Sequence, residues 1–437
     1  MKSLRSWRPL AASASLLVAA STLAACSNAS SSSSDQGEGE GPVEDPSEPV
    51  TVSFMSWVGN DPTMKKFAAD FEKEHPNITI EFQNVPAEQA STKLGTAIAG
   101  GNPPDVAFVN ASDTADFASR DALVNLDDYI GRSDVVKPDD YVEAFKTFVT
   151  YEDSMWGLPI DGETTGLFYR TDLFEQAGIE SPPETWEEFE ATAAELTVPE
   201  KKQYGYEIFA SEAAYYWYPW LYQAGGDLLS EDGEVMFDSE EARLAAEFYV
   251  GLADYAPAEY LNSNSYDGRT AFIQGQVGMY MAGAWFAGTL ASEAPQIDGK
   301  WNTAPLPEGP AGCKTTIAGD SLIMMNATDN PDAAWLWMEY LSQPDVLAEW
   351  TFKSKDGTLL PPLTSLLESD ELVEEKPVLE GFAELMKCGV AGTVSNPKFP
   401  RVETVLNEEL GAAIFGDQTA DEAIDNAAAQ AEEILSN

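Results

Sequence analysis

The stretch from Val50 to Arg120 alternates strand and helix patterns, and this limits the possible folds more than any other feature of the chain. VTVSFMSW (50–57) is rich in β-branched and aromatic residues, a strand pattern. PTMKKFAADFEKEHP (62–76) places Met64, Phe67, Ala68 and Phe71 at helical spacing, and His75-Pro76 stops it. ITIEFQNV (78–85) alternates as a strand, and the next segment reads as a helix ended by Gly100-Gly101 and Pro103. DVAFVN (105–110) is an apolar strand followed by a loop and helix to Arg120. Strand and helix in turn predict an α/β fold: a mostly parallel sheet with helices on both faces. Ligands of such sheets bind beyond the carboxyl ends of the strands. Those ends are Trp57 to Asp61 and Asn110 to Asp113.

A second region begins near MWGLPIDGETTGLFYR (155–170). TWEEFEATAAELT (185–197) and SEEARLAAEFYVGLADY (239–255) read as helices, the latter capped by Ser239. EDGEVMFDS (231–239) reads as a short hairpin on an Asp-Gly turn. KTTIAGDSLIMMN (314–326) returns to strand character, residues 330–350 are helical, and the chain ends in an amphipathic helix. The body from Val50 to Asn437 is too long for one typical domain and suits two.

The N-terminus has a different character. Lys2, Arg5 and Arg8 precede an apolar, small-residue run from Leu10 to Ala25, which reads as a cleaved export signal over residues 1–25. Its end, Leu23-Ala24-Ala25-Cys26, resembles a bacterial lipobox, which implies cleavage before Cys26 and a lipid on its sulfur. Residues 26–49 contain one aliphatic residue, Val43, and read as a flexible tether. The formal charge of -50, from 74 acidic and 24 basic residues, argues against nucleic-acid binding. His75 is the one histidine, so neither a histidine triad nor a multi-histidine metal site is available. The phosphate-loop, nucleophile-elbow and zinc HExxH patterns are absent, and no cofactor or metal is expected. With Cys26 lipidated, Cys313 and Cys388 remain, and an oxidising compartment allows a disulfide between them.

AIAGGNPPDVAF (97–108), DALVNLDDYI (121–130), MWGLPIDGETTGLFYRTDLFEQAGIESPPETWEEFE (155–190), LYQAGGDLLSEDGEVMFDSEEA (221–242), AFIQGQVGMYMAGAWF (271–286) and APLPEGP (304–310) occur in this order. Together they resemble the extracellular solute-binding proteins of sugar ABC transporters, the group that includes maltose-binding proteins. The resemblance implies a periplasmic-binding-protein-like fold of two α/β lobes joined by crossover strands. Lobe 1 would hold 50–160 and 319–355, and lobe 2 would hold 163–316 and 360–437. The crossovers would be Leu158-Pro159-Ile160 and Thr316-Ile317-Ala318-Gly319, with hinge bending closing the cleft. It further implies a monomer on the outer face of the membrane, anchored only by lipid, that hands an oligosaccharide to a permease.

Sugars are held by aromatic rings on their C–H faces and by polar groups on their hydroxyls. The candidates at strand ends are Trp57, Asn60, Asp61, Asn110 and Asp113. Asp113 also suits a helix N-cap. At the crossovers the candidates are Asp161, Glu163 and Asp320, where the family often has a second glycine in place of Asp320. Trp285 in GAWF matches the family's stacking tryptophan, and Lys398, Phe399 and Arg401 sit in NPKFPR, read as a loop at the cleft rim. In EAAYYWYPWLYQAGG (212–226), Pro219 suits the first turn of a helix, which leaves Tyr215, Tyr216, Trp217 and Tyr218 in a preceding loop. Tyr216 and Trp217 are then the expected stacking platform. The rival class is a cell-surface glycoside hydrolase, since carboxylates and aromatics serve both roles.

Overall fold

The structure, a computed structural model, describes residues 41–230, 232–257, 268–355, 357–391 and 396–436. The export segment, Cys26 and the tether as far as residue 40 lie outside the described residues. The first βα units form where the sequence predicts them. β1 (Val50–Ser56) leads through α1 (Pro62–Glu74) to β2 (Ile78–Asn84), then through α2 (Ala87–Ala99) to β3 (Val106–Asn110). β1 lies between β2 and β3 and pairs in parallel with both. Both faces of this sheet are covered. In β3, Val106 and Phe108 enter one core, and Ala107 and Val109 enter the other. That two-sided burial is why the strand reads as a continuous apolar run. Burial of a side chain such as Phe108 contributes roughly 1.5–3 kcal/mol.

The crossing strands are β4 (Gly157–Thr164) and β9 (Thr315–Met324), which pair antiparallel. Between them β5 (Gly166–Tyr169), β6 (Tyr204–Tyr206), β7 (Val277–Ala282) and β8 (Asn302–Ala304) form a second sheet in the order β8-β5-β7-β6. Here too the strands alternate between two cores: Met279 and Met281 face one, Tyr280 and Ala282 the other. The helices that matter below are α3 (Trp186–Leu196), α4 (Ala213–Ala224), α5 (Glu240–Gly251), α6 (Trp285–Glu293), α7 (Pro331–Leu341), α8 (Phe399–Ile414) and α9 (Ala420–Ser436). Thr185 and Ser239 cap α3 and α5 through their hydroxyls.

β9 is shared along its length. Asp320–Met324 pair with β3, while Thr315–Ile317 pair in parallel with β10 (Gly389–Ala391). A third crossing segment meets β4 at Leu360, whose backbone exchanges two 2.9 Å hydrogen bonds with Gly162. A single bridge carries no alternation, so sequence patterning does not reveal it. Gly162 also faces Gly319 in register. A Cβ on Gly319 would stand 2.6 Å from the Asp161 carbonyl oxygen, so only glycine lets the two strands cross this closely.

Cys313 and Cys388 are joined, with Cα atoms 5.8 Å apart. The bond ties the start of β9 to the start of β10 across 75 residues of chain. Cys313→Ser with Cys388→Ser should cost about 2–4 kcal/mol through the freed unfolded chain, read as a lower urea midpoint. An unchanged midpoint would show that the pairing of β9 with β10 is sufficient alone.

Two sequence expectations need correction. The tether does not run to residue 49: Val43 packs against the first lobe's core, Asp45 meets the His75 ring at 2.5 Å, and Asn77 donates to the Pro46 carbonyl at 2.8 Å. The one aliphatic residue of that segment supplies its anchor. The aromatic stretch is not loop followed by helix either. α4 begins at Ala213, and Pro219 lies inside it. Tyr216, Trp217, Tyr218 and Trp220 are all buried. Rings that point all round a helix signal a helix enclosed by protein on every side. Pro219 deprives the Tyr215 carbonyl of its helical donor, a local loss that the surrounding aromatic burial outweighs.

Candidate functional site: the gap at the crossing strands

The central feature is a row of polar side chains where the sheets meet. Asn110 of β3, Asp320 of β9 and Asp161 of β4 stand opposite one another in register. Directly opposed residues share a face, and Glu163, two positions beyond Asp161, shares it as well. The pairing then slips by one residue, because Ser321 faces Pro159 and Ile160 has no partner. A bulge at this point aims the carboxylates without disturbing the apolar ends of the strands.

Each carboxylate has a defined environment. Asp161 is 2% exposed and accepts hydrogen bonds from Trp350 Nε1 at 2.7 Å and from the Asp320 backbone N–H at 3.3 Å. Burial raises it to about 6, and those two donors limit the rise. Asp320 is raised more strongly, by burial and then by the charges of Asp161 and Glu163. Glu163 accepts from the Tyr215 hydroxyl at 3.2 Å and is raised to about 7 by burial. Asp113 is raised to about 7 by burial, opposed by the Ser91 hydroxyl and reinforced by Glu403 and Asp116. Glu403, on α8, accepts from the Tyr218 hydroxyl at 3.0 Å and is also raised by burial. Asp113 follows β3 while Glu403 belongs to the C-terminal helices, and the Glu403 charge is one of those that act on Asp113.

Aromatic surface completes the gap. A Cβ on Gly283 would meet the Glu163 carboxylate at 2.0 Å and the Trp285 ring at 2.7 Å, so the missing side chain lets these two groups lie side by side. Trp285 opens α6 and is half-buried, which leaves ring surface open. Trp57 is also half-buried and packs edge-on against Phe108 at 4.8 Å. Phe108 in turn meets Trp350, the donor to Asp161.

The remaining candidates have other partners. Asp61 caps α1, accepting from the Thr63 and Met64 N–H groups, and Asn60 accepts from Lys65. Tyr216 and Trp217 are core residues, and Tyr216 stacks on Phe209 at 3.7 Å. Tyr215, not these two, reaches the carboxylate row. NPKFPR is not a rim loop, because α8 starts at Phe399, which is buried. Lys398 donates to the Leu435 carbonyl in the last turn of α9, where a cation suits the helix terminus. Arg401 is exposed on α8. Sequence reasoning missed Trp350 and Glu403, which lie in helical segments far along the chain, where no spacing rule links them to β4. Among the described residues, no three acidic, histidine or cysteine side chains converge to hold a metal ion.

These shifts set a pH dependence. Each folded value lies above the unfolded one near 4, so the native state binds protons more readily than the unfolded chain between those values. Stability therefore falls as pH rises through about 6–7 and is regained on acidification. The ligand-free protein should melt at a higher temperature at pH 5.5 than at pH 8, and Glu163→Gln with Asp320→Asn should flatten the difference. A wild-type melting temperature that falls toward acid would contradict this account.

Two lobes are threaded by shared strands, with polar and aromatic side chains gathered at the crossing. This is the two-lobe binding-protein class. The chain belongs to the bacterial extracellular solute-binding protein family, whose sequence model matches residues 56–348. The lactose-binding protein of Rhizobium radiobacter is 28% identical over 62% of this chain and 65% of its own. The solute-binding protein of Thermotoga lettingae bound to α-D-tagatose superposes with a TM-score of 0.80 at 26% identity, covering 89% of this chain and all of that one. The GacH receptor of Streptomyces glaucescens, solved unliganded and in complex with acarbose, reaches 0.77 at 26% identity, over 89% of this chain and 98% of its own.

Proposed function

We propose that this protein captures a sugar, an oligosaccharide in preference to a monosaccharide, and delivers it to the permease of an ABC importer. The observation that carries this reading is the carboxylate row on β4 and β9 beside the open face of Trp285. Carboxylates accept strongly from hydroxyl groups, while an indole face suits the C–H side of a sugar ring. Related proteins whose ligands are lactose, tagatose and acarbose support it. Removal of residues 1–25, a lipid on Cys26, a monomeric state and a position on the outer membrane face belong to the same proposal. In this reading the gap binds without turnover.

Calorimetry over a panel of neutral mono- and oligosaccharides, with product analysis on the same samples, tests it. Tight binding with intact ligand is the expected result. Release of shortened sugars would make the protein a glycoside hydrolase, and no binding to any sugar would end the proposal.

A further inference from the structure

We propose that the preferred ligand is a cationic sugar, one bearing a protonated amine among its hydroxyls. This rests on the sugar-binding reading above and adds the sign of the ligand's charge. Asp161, Glu163 and Asp320 share one face of the crossing strands, and the groups that act on them, and on Asp113 and Glu403, are hydroxyls, an indole, backbone and other carboxylates. None of them is in an ion pair with a lysine or arginine among the described residues. The stretches 258–267 and 392–395 contain no Lys or Arg either. Arg401 is two positions from Glu403 and so lies on another face of α8.

Neutral hydroxyls satisfy acceptor oxygens but leave the charge uncompensated in a closing, partly dehydrated gap. An ammonium group does both. The acidic groups do not converge on a point, so they suit a charge carried on an extended ligand better than a bare metal ion. Trp285, beside Glu163, offers a π-face that attracts cations as well as C–H groups. The net charge of -50 adds attraction for cations at long range.

The test is calorimetry at pH 7 on matched pairs: glucose, galactose and mannose against their 2-amino counterparts, and cellotriose against the β-1,4-linked glucosamine trisaccharide. An amino sugar should bind tightest, about tenfold or more above its neutral partner. That margin should shrink in 0.5 M salt and in Asp320→Asn. Binding should also release protons, seen as a heat that varies with the buffer, because an ammonium favours the ionised carboxylates. If every amine binds no better than its neutral partner, the inference falls while the sugar reading stands. If nothing in this or the neutral panel binds, the sugar reading itself fails. Displacement of the amine by millimolar calcium would instead assign the gap to a metal ion.

Discussion

Trp285→Ala is expected to weaken sugar binding by about a hundredfold or more, with the melting temperature nearly unchanged. The indole is half-buried and touches Phe286 edge-on at 5.7 Å, so truncation removes little core. Its open face lies beside Glu163, where a sugar ring would be hydrogen-bonded and stacked at once. Central aromatic anchors of this kind contribute about 2–3 kcal/mol or more to binding, which is the stated factor in affinity. Titration calorimetry and thermal melting on the same preparation separate the two effects. Retained affinity would move the ligand away from the junction of Glu163 and α6.

Trp217→Ala should do the reverse. Trp217 is 0% exposed in the middle of α4. Its loss leaves a cavity among rings that cannot collapse fully, costing about 3–5 kcal/mol. Urea unfolding should show a large fall in midpoint, while the folded fraction keeps affinity within a few fold. Tyr215 and Tyr218, which reach Glu163 and Glu403, remain on the same helix and limit how far the effect spreads. A variant of normal stability that no longer binds sugar would return Trp217 to the ligand.

These two tryptophans show why a site is harder to read from sequence than a fold. Each sits in an aromatic segment of the second region, and each is a plausible stacking residue. What distinguishes them is which side of their helix meets solvent, and this depends on distant segments packed around it. The same holds for Glu403, which lies 290 positions beyond Asp113 in chain order yet adds its charge to those acting on Asp113. Asp161, Glu163 and Asp320 could be grouped from the sequence because they sit on two segments expected to cross, and the register brings them to one face. Asp61 illustrates the opposite outcome: a strand-end acid whose carboxylate is occupied by the backbone of α1.

The sequence by itself determined the alternation of strands and helices, the helix cap at Ser239, the breaks at His75-Pro76 and Gly100-Gly101, and the family. Those features arise from interactions within a few residues, or from order along the chain. Only the tertiary structure decided that the aromatic helix is enclosed, that Val43 and Asp45 are strapped to the first lobe, that Leu360 forms a third crossing, and that acids from β4 and β9 share one face. Burial and charge repulsion depend on distance in space, and local sequence carries no measure of that distance.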